Sequence, residues 1–308
     1  MIVITLLEWC RENTVSRRPA PTAVSAVRKL IVKERHPNML YTMENGFLEV
    51  TVNTLGGELW EIRTKDTPPV PCLWNGTPEI WPRRAPVCVP WCGALEDGGV
   101  QEGDNRFLGG NHGFVRDLEH TLVERSDQRL HFRLDWPGDD SRWPWAFSFE
   151  TVHVLDGNRL VTTCTAFNRS DRAMPAQMGF HPGFRCPLDP ARPLEDYAVR
   201  FQQPEAPDGT DLFPLLPELF DQGSLCLQNL RSAWVRLEER HTGRYLQVDL
   251  MGAPYLLLWS QPGIPGFLCI EPWTGYPGPG HDLSARPGAV LLAPGAQCSQ
   301  SLPITICL

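Results

Sequence analysis

The sequence predicts an all-β fold, a large antiparallel sandwich, on three observations. Apolar residues beyond residue 40 recur with period two, as on half-buried strands, and not with the 3.6-residue period of a helix. The 30 prolines and 26 glycines cut these runs at spacings short enough for a sandwich. A helical stripe of useful length is missing from the same region, where residues 214–220 have room for one short helical turn.

Strand patterning begins at residues 39–45, and residues 47–52 (Phe-Leu-Glu-Val-Thr-Val) alternate cleanly. A short strand follows at 131–134. Residues 151–155 and 159–167 flank Asp156-Gly157-Asn158, which reads as a hairpin around an Asp-Gly turn. Further strands are expected at 176–181, 245–250, 255–259, 267–271 and 289–292. Residues 39–308 read as one sandwich domain. Residues 1–38 carry Arg17, Arg18, Arg28, Lys29, Lys33 and Arg35 and differ in composition from the acidic remainder. They read as a basic extension, poorly ordered or a start-site artefact with Met39 as the true start.

A formal net charge of −8 argues against a nucleic-acid partner, which would want a basic face. Runs of 18 apolar residues are absent, so no membrane helix is expected. The apolar opening has no basic segment before it and no small-residue cleavage site, so a signal peptide is not expected either. The ten cysteines are scattered, several within apolar runs, and read as reduced thiols of a cytoplasmic protein. Cys88 and Cys92 are the closest pair, but a second pair at ligand spacing is missing, so no metal site is expected. Nothing distinguishes a monomer from a homodimer.

Three short blocks carry the candidate chemistry. Gly179-Phe180-His181-Pro182-Gly183-Phe184 offers an imidazole near a strand end, and Cys269-Ile270-Glu271-Pro272-Trp273 a carboxylate in a similar place. Together they can move one proton onto an oxygen while taking another off. Asn111-His112-Gly113-Phe114 adds a second imidazole in a Gly-rich turn. Alternation places Phe267, Cys269 and Glu271 on one face of their strand, with Leu268 and Ile270 on the other. Pro272 lacks an amide, so the ladder is expected to stop there or lie at an edge. Gln177, Gly179 and His181 would share a face, with Gly179 leaving room for a ligand beside the imidazole. Taken singly, a strand-end glutamate is usually a solvated edge charge, and a histidine in an apolar run is usually structural. His36, His120, His131, His153 and His281 are read in that way.

In order along residues 39–308, these blocks and others resemble the aldose 1-epimerase (galactose mutarotase) superfamily, in particular its bacterial LacX-like branch. The others are Pro82-Arg83-Arg84-Ala85-Pro86, Leu155-Asp156-Gly157-Asn158-Arg159-Leu160, His281-Asp282-Leu283-Ser284 and Leu291-Leu292-Ala293-Pro294-Gly295. The resemblance implies an antiparallel β supersandwich with an open sugar groove, and interconversion of the anomers of a free hexose without a cofactor. It also implies that Glu271 is the general base, that His181 is the general acid, and that His112 contacts the ring-oxygen side of the sugar.

Mutarotation opens the pyranose ring, turns the C1 carbonyl and closes the ring on its other face. A carboxylate and an imidazolium on opposite sides of the anomeric carbon would suffice, each such group contributing about 10²–10⁴-fold. Arg83, Arg84 and Arg116 are candidates for sugar hydroxyls or, equally, for surface ion pairs. Trp273 is the candidate for stacking on the sugar ring, whereas Trp136, Trp143 and Trp145 read as packing. One position departs from the resemblance. The family runs from a proline through two apolar residues to Gly-Arg, but this chain has Pro90-Trp91-Cys92-Gly93-Ala94. Ala94 thus replaces the arginine expected to reach the substrate. Two alternatives remain open at this point: an epimerase of a hexose 6-phosphate clamped by Arg83, Arg84 and Arg116, and a non-catalytic sugar sensor.

Overall fold

The structure, a computed structural model, describes Ile4–Thr5 and residues 38–139, 141–206 and 208–308. The basic extension expected at the N-terminus therefore falls almost wholly outside the described residues.

A nine-stranded antiparallel sheet runs in the order Leu212–Pro214, Tyr197–Phe201, Trp234–Glu239, Tyr245–Asp249, Gln297–Cys307, Arg159–Asn168, Phe147–Asp156, Arg129–Trp136, Thr121–Ser126. The hairpin read from the Asp-Gly turn is present, paired from Asp156↔Arg159 to Phe147↔Asn168. Gly157 takes φ +58° at its tip, a conformation that costs glycine little. Along Arg159–Asn168 buried and half-buried residues alternate without a break, as the period-two pattern requires.

A second sheet runs in the order Ile4–Thr5, Leu225–Gln228, Tyr255–Trp259, Gly266–Trp273, Gly179–Phe180, Val87–Cys88, and Gly183–Cys186 also pairs with Gly266–Trp273. One of its faces supplies Leu256, Leu258, Leu268 and Ile270 to the same buried cluster as Phe149, Leu160, Leu302 and Ile304 of the nine-stranded sheet. The core therefore lies between the two sheets. The opposite face of Gly266–Trp273 carries Phe267, Cys269 and Glu271, the split that alternation predicts. Among the described residues no helix is long and apolar enough to cross a membrane. The helical turn expected at 214–220 is the 3-10 turn Pro217–Phe220.

Two local expectations are corrected. The single strand at 176–181 is two pieces: Met174–Ala176 pairs with Val290–Leu292, and Gly179–Phe180 joins the second sheet. Pro272 does not end its strand, which continues to Trp273 between two partners. The flanking amides explain how. Ile270 N donates to Pro182 O and Thr274 N to Met178 O, so the missing amide at 272 would have faced Phe180 O. The indole Nε1 of Trp273 donates to that carbonyl instead, at 3.2 Å.

Candidate active site

The outer face of the second sheet floors a cavity of about 590 Å³. His112, His181 and Glu271, predicted from three distant segments, all line it, as do Arg83, Arg116 and Trp273.

Register brings His181 to Glu271. Gly179 pairs with Trp273 and Gly183 with Cys269, and the same register carried through the break at Pro182 sets His181 opposite Glu271. His181 Nε2 lies 3.4 Å from Glu271 Oε2. The contact is not aligned as a hydrogen bond, and Oε2 has no hydrogen-bond partner among the described residues. The two groups stand side by side on the cavity wall. Trp81 stacks on the His181 ring (5.1 Å between centroids, 27° between planes), and Trp259 meets it edge-on. His181 N donates to Pro86 O at 3.0 Å, which fixes the backbone beside the break.

His112 is held by a different device. Its φ is +64°, in the left-handed region that side chains seldom occupy. The next residue has to be glycine: at Gly113 (φ +69°) a Cβ would lie 1.8 Å from Val89 O. Gly93 N donates to His112 Nδ1 at 3.1 Å, and Cys88 Sγ lies 3.2 Å from the same nitrogen. With Nδ1 accepting, the ring proton resides on Nε2, so His112 is a neutral donor. Its ring meets those of His181 (5.1 Å) and Trp273 (5.3 Å) edge-on.

Burial governs the charges. It pushes the Glu271 carboxyl well up, helped by nearby Cys88. It pulls His181 down to about 3 and His112 well below the ordinary imidazole range, each aided by Arg116 and Arg83. The Cys88 thiol is likewise pushed well up and stays protonated, able to donate to His112.

The arginines divide. Arg83 lines the cavity and pairs with Asp117. Arg116 lines it too, with Nη2 donating to Asn111 O at 2.7 Å. Arg84 is not among the lining residues. Its guanidinium donates to Trp60 O at 2.6 Å and stacks 4.0 Å over the Trp60 ring. Trp273 is only 2% exposed, and a Cβ on Gly179 would meet its ring at 2.4 Å. The room left by Gly179 is therefore filled by the indole and is not free for a ligand. Gln177 is also no ligand group: it accepts from Cys92 N and donates to the carbonyls of Tyr276 and Pro287. The half-buried lining residues Trp81 and Trp259 present more aromatic surface than Trp273 and were missed as site residues. Trp81 stands directly before the Pro-Arg-Arg block, and Trp259 ends a predicted strand. Ala94 also lines the cavity, and its carbonyl accepts from the Arg286 guanidinium at 2.8 Å.

Residues 39–212 match the family model for aldose 1-epimerase. The chain belongs to the aldose 1-epimerase family. Protein LacX of Lactococcus lactis subsp. lactis, in its chromosomal form, is 31% identical over 300 residues, covering 87% of this chain and 99% of that one. A galactose mutarotase related enzyme from Lactobacillus acidophilus superimposes with a TM-score of 0.80 at 25% identity, covering 87% of this chain and 97% of the other. A galactose mutarotase-like protein from Lactobacillus casei ATCC 334 gives 0.79 at 24% identity, covering 87% and 100%. Both the family and the mutarotase-like sandwich expected from the blocks are thus established.

Proposed function

We propose that this protein interconverts the α and β anomers of a free hexose by general acid–base ring opening and closure. Glu271 acts as base, His181 as acid, and His112 as a fixed donor to the sugar. The observation that carries the reading is the side-by-side placement of Glu271 and His181 at 3.4 Å in a cavity of sugar-binding size. The hydroxyl oxygen and the ring oxygen of a pyranose are bonded to the same carbon, so their base and acid must also be neighbours.

The pair needs one proton in all. In ring opening the Glu271 carboxylate takes the proton of the C1 hydroxyl, the C1–ring-oxygen bond breaks, and the His181 imidazolium protonates the released oxygen. What remains is a neutral acid beside a neutral imidazole, facing an open-chain aldehyde. Rotation about the C1–C2 bond presents the other carbonyl face. Closure runs the same transfers backwards and restores the starting pair. Burial favours the neutral arrangement, which is the one that ring opening leaves behind, so the low-dielectric site eases the step that must generate it. Trp81 and Trp259 offer ring faces for the apolar side of the sugar. Arg83 and Arg116 offer donors to its hydroxyls. Every group in this scheme belongs to the protein, so no cofactor is called for.

Following the α-to-β equilibration of freshly dissolved glucose, galactose and glucose 6-phosphate by proton NMR tests this. Acceleration with a free hexose is expected. Acceleration confined to the phosphate ester would transfer the reading to a phosphorylated substrate, and binding without acceleration would make the protein a sensor. The phosphate reading loses one of its three arginines, since Arg84 is engaged with Trp60.

A further inference from the structure

We infer that Glu58, which does not line the cavity, is the positioning residue for His181 and acts on it through residues 83–86. The His181 ring has no hydrogen bond to aim it. Its Nδ1 is buried without a partner among the described residues, and its contact with Glu271 is not aligned as a bond. The aim must come from the backbone and from the packed rings of Trp81 and Trp259. That backbone lies where the ladder breaks, between Gly179–Phe180 and Gly183–Cys186, with Pro182 lacking an amide. Residues 83–86 bridge the break. Pro86 O accepts from His181 N at 3.0 Å and Arg84 O from Gly183 N at 2.7 Å, so both amides flanking Pro182 are taken.

Glu58 holds the bridge in turn. It is buried at the start of Glu58–Thr64, in a three-stranded sheet with Leu40–Glu44 and Leu48–Asn53. Its Oε1 accepts from the amides of Arg84 and Ala85, each at 2.8 Å. The peptide between those two residues is thus bonded at both ends, its N–H to Glu58 and its carbonyl to Gly183 N. Bonds in such a chain polarise and strengthen one another. The strand is shaped to make the grip. Val52 faces Leu59 and Thr51 faces Glu61, which makes Trp60 the extra residue of a bulge. The bulge lets Leu59 and Ile62, three apart, both reach the core. Trp60 takes the Arg84 guanidinium on its carbonyl and over its ring. Arg84, expected in the cavity, is therefore clamped at backbone and side chain, as an anchor for the segment that steadies the acid.

This role rests on the reading of His181 as the acid, and the test keeps the two apart. Galactose anomer exchange by NMR gives kcat and KM, and the histidine ring resonances of the sugar-free full chain give the position of His181. Glu58→Ala removes the acceptor. A fall in kcat of about 10- to 10²-fold is expected, larger than any rise in KM, because small misplacements of a reacting group are costly. The His181 resonances should move, while those of His131, bonded to Glu150 on the nine-stranded sheet, should not. Glu58→Gln keeps an oxygen for both amides, and burial already pushes this carboxyl up toward its neutral form, so kcat and the His181 resonances should be retained. Glu58→Met, of similar length without an oxygen, replaces the alanine variant if circular dichroism shows that one misfolded. The inference is overturned by a parent-like kcat without the acceptor, by His181 resonances that stay in place, by His131 moving as far, or by glutamine proving as damaging as alanine. A parent that exchanges no anomers would end the reading of the reaction, and the His181 resonances alone would then decide for or against Glu58.

Discussion

Trp273 Nε1 donates to the carbonyl of Phe180 at 3.2 Å, in the place where Pro272 has no amide to offer. One side chain thus repairs the ladder between the strand that carries Glu271 and the segment that carries His181. The relationship ties the shape of the site to a bond outside its chemistry. Trp273→Phe keeps an aromatic ring but removes the donor, leaving a buried carbonyl unpaired. A loss of about 1–3 kcal/mol in unfolding free energy by urea titration is expected, with slower anomer interconversion. Unchanged stability would mean that Phe180 O is satisfied in another way.

Gly113 offers a second test away from the reacting atoms. Its positive φ and the 1.8 Å approach of a Cβ to Val89 O leave no room for alanine. Gly113→Ala should destabilise the protein by at least about 1–3 kcal/mol and displace His112. The check is a thermal melt alongside the His112 ring resonances in NMR. A variant as stable as the parent would contradict the geometry of this turn.

Stability should fall with acid through two histidines outside the site. His153 is wholly buried, its Nε2 donating to Gly57 O and its Nδ1 accepting from Thr162 Oγ1, and it is pulled down to about 3. His120, also buried, is pulled down to about 4. Below about pH 6.5 the unfolded chain binds protons that the folded chain refuses. The stabilisation is therefore complete above that pH and is lost as pH falls toward 4 and then 3, by up to about 1.4 kcal/mol per pH unit per histidine. Glu58, pushed up by burial, acts in the opposite sense, so the comparison is best made with a variant. The stability gap between the parent and His153→Gln should narrow between pH 7 and pH 4. A constant gap would show that His153 keeps an ordinary pKa in the fold.

Ala94 lies on the cavity wall with its backbone held by Arg286. Ala94→Arg restores a guanidinium where the family resemblance expects one. Charge-assisted hydrogen bonds to sugar hydroxyls should lower the KM for galactose by about 10-fold in an NMR exchange assay. Indifference to the substitution would place the family arginine elsewhere.

Much of this was legible in the chain, and the parts that were not share a cause. The hairpin around Gly157 follows from period-two alternation and an Asp-Gly turn, both local signals. The two faces of Gly266–Trp273 follow from alternation alone. Arg83 and Arg84 are adjacent and chemically identical, yet one lines the cavity and the other lies on Trp60. Their difference is set by partners that no spacing reveals. From sequence Pro272 implies a stop or an edge, because the remedy, an indole folding back onto Phe180 O, is a tertiary contact. Trp81 was passed over among eleven tryptophans because its value comes from stacking on His181, which only the fold brings near.

The most direct test of the central claim is the rate of galactose anomer exchange, measured by NMR, for the parent protein and Glu271→Gln. The substitution keeps the shape of the side chain and removes its ability to take the C1 hydroxyl proton. A fall in kcat on the order of 10²-fold or more is expected, with folding unchanged by circular dichroism. A variant that exchanges anomers as fast as the parent would contradict the assignment of Glu271 and, with it, the acid–base pair.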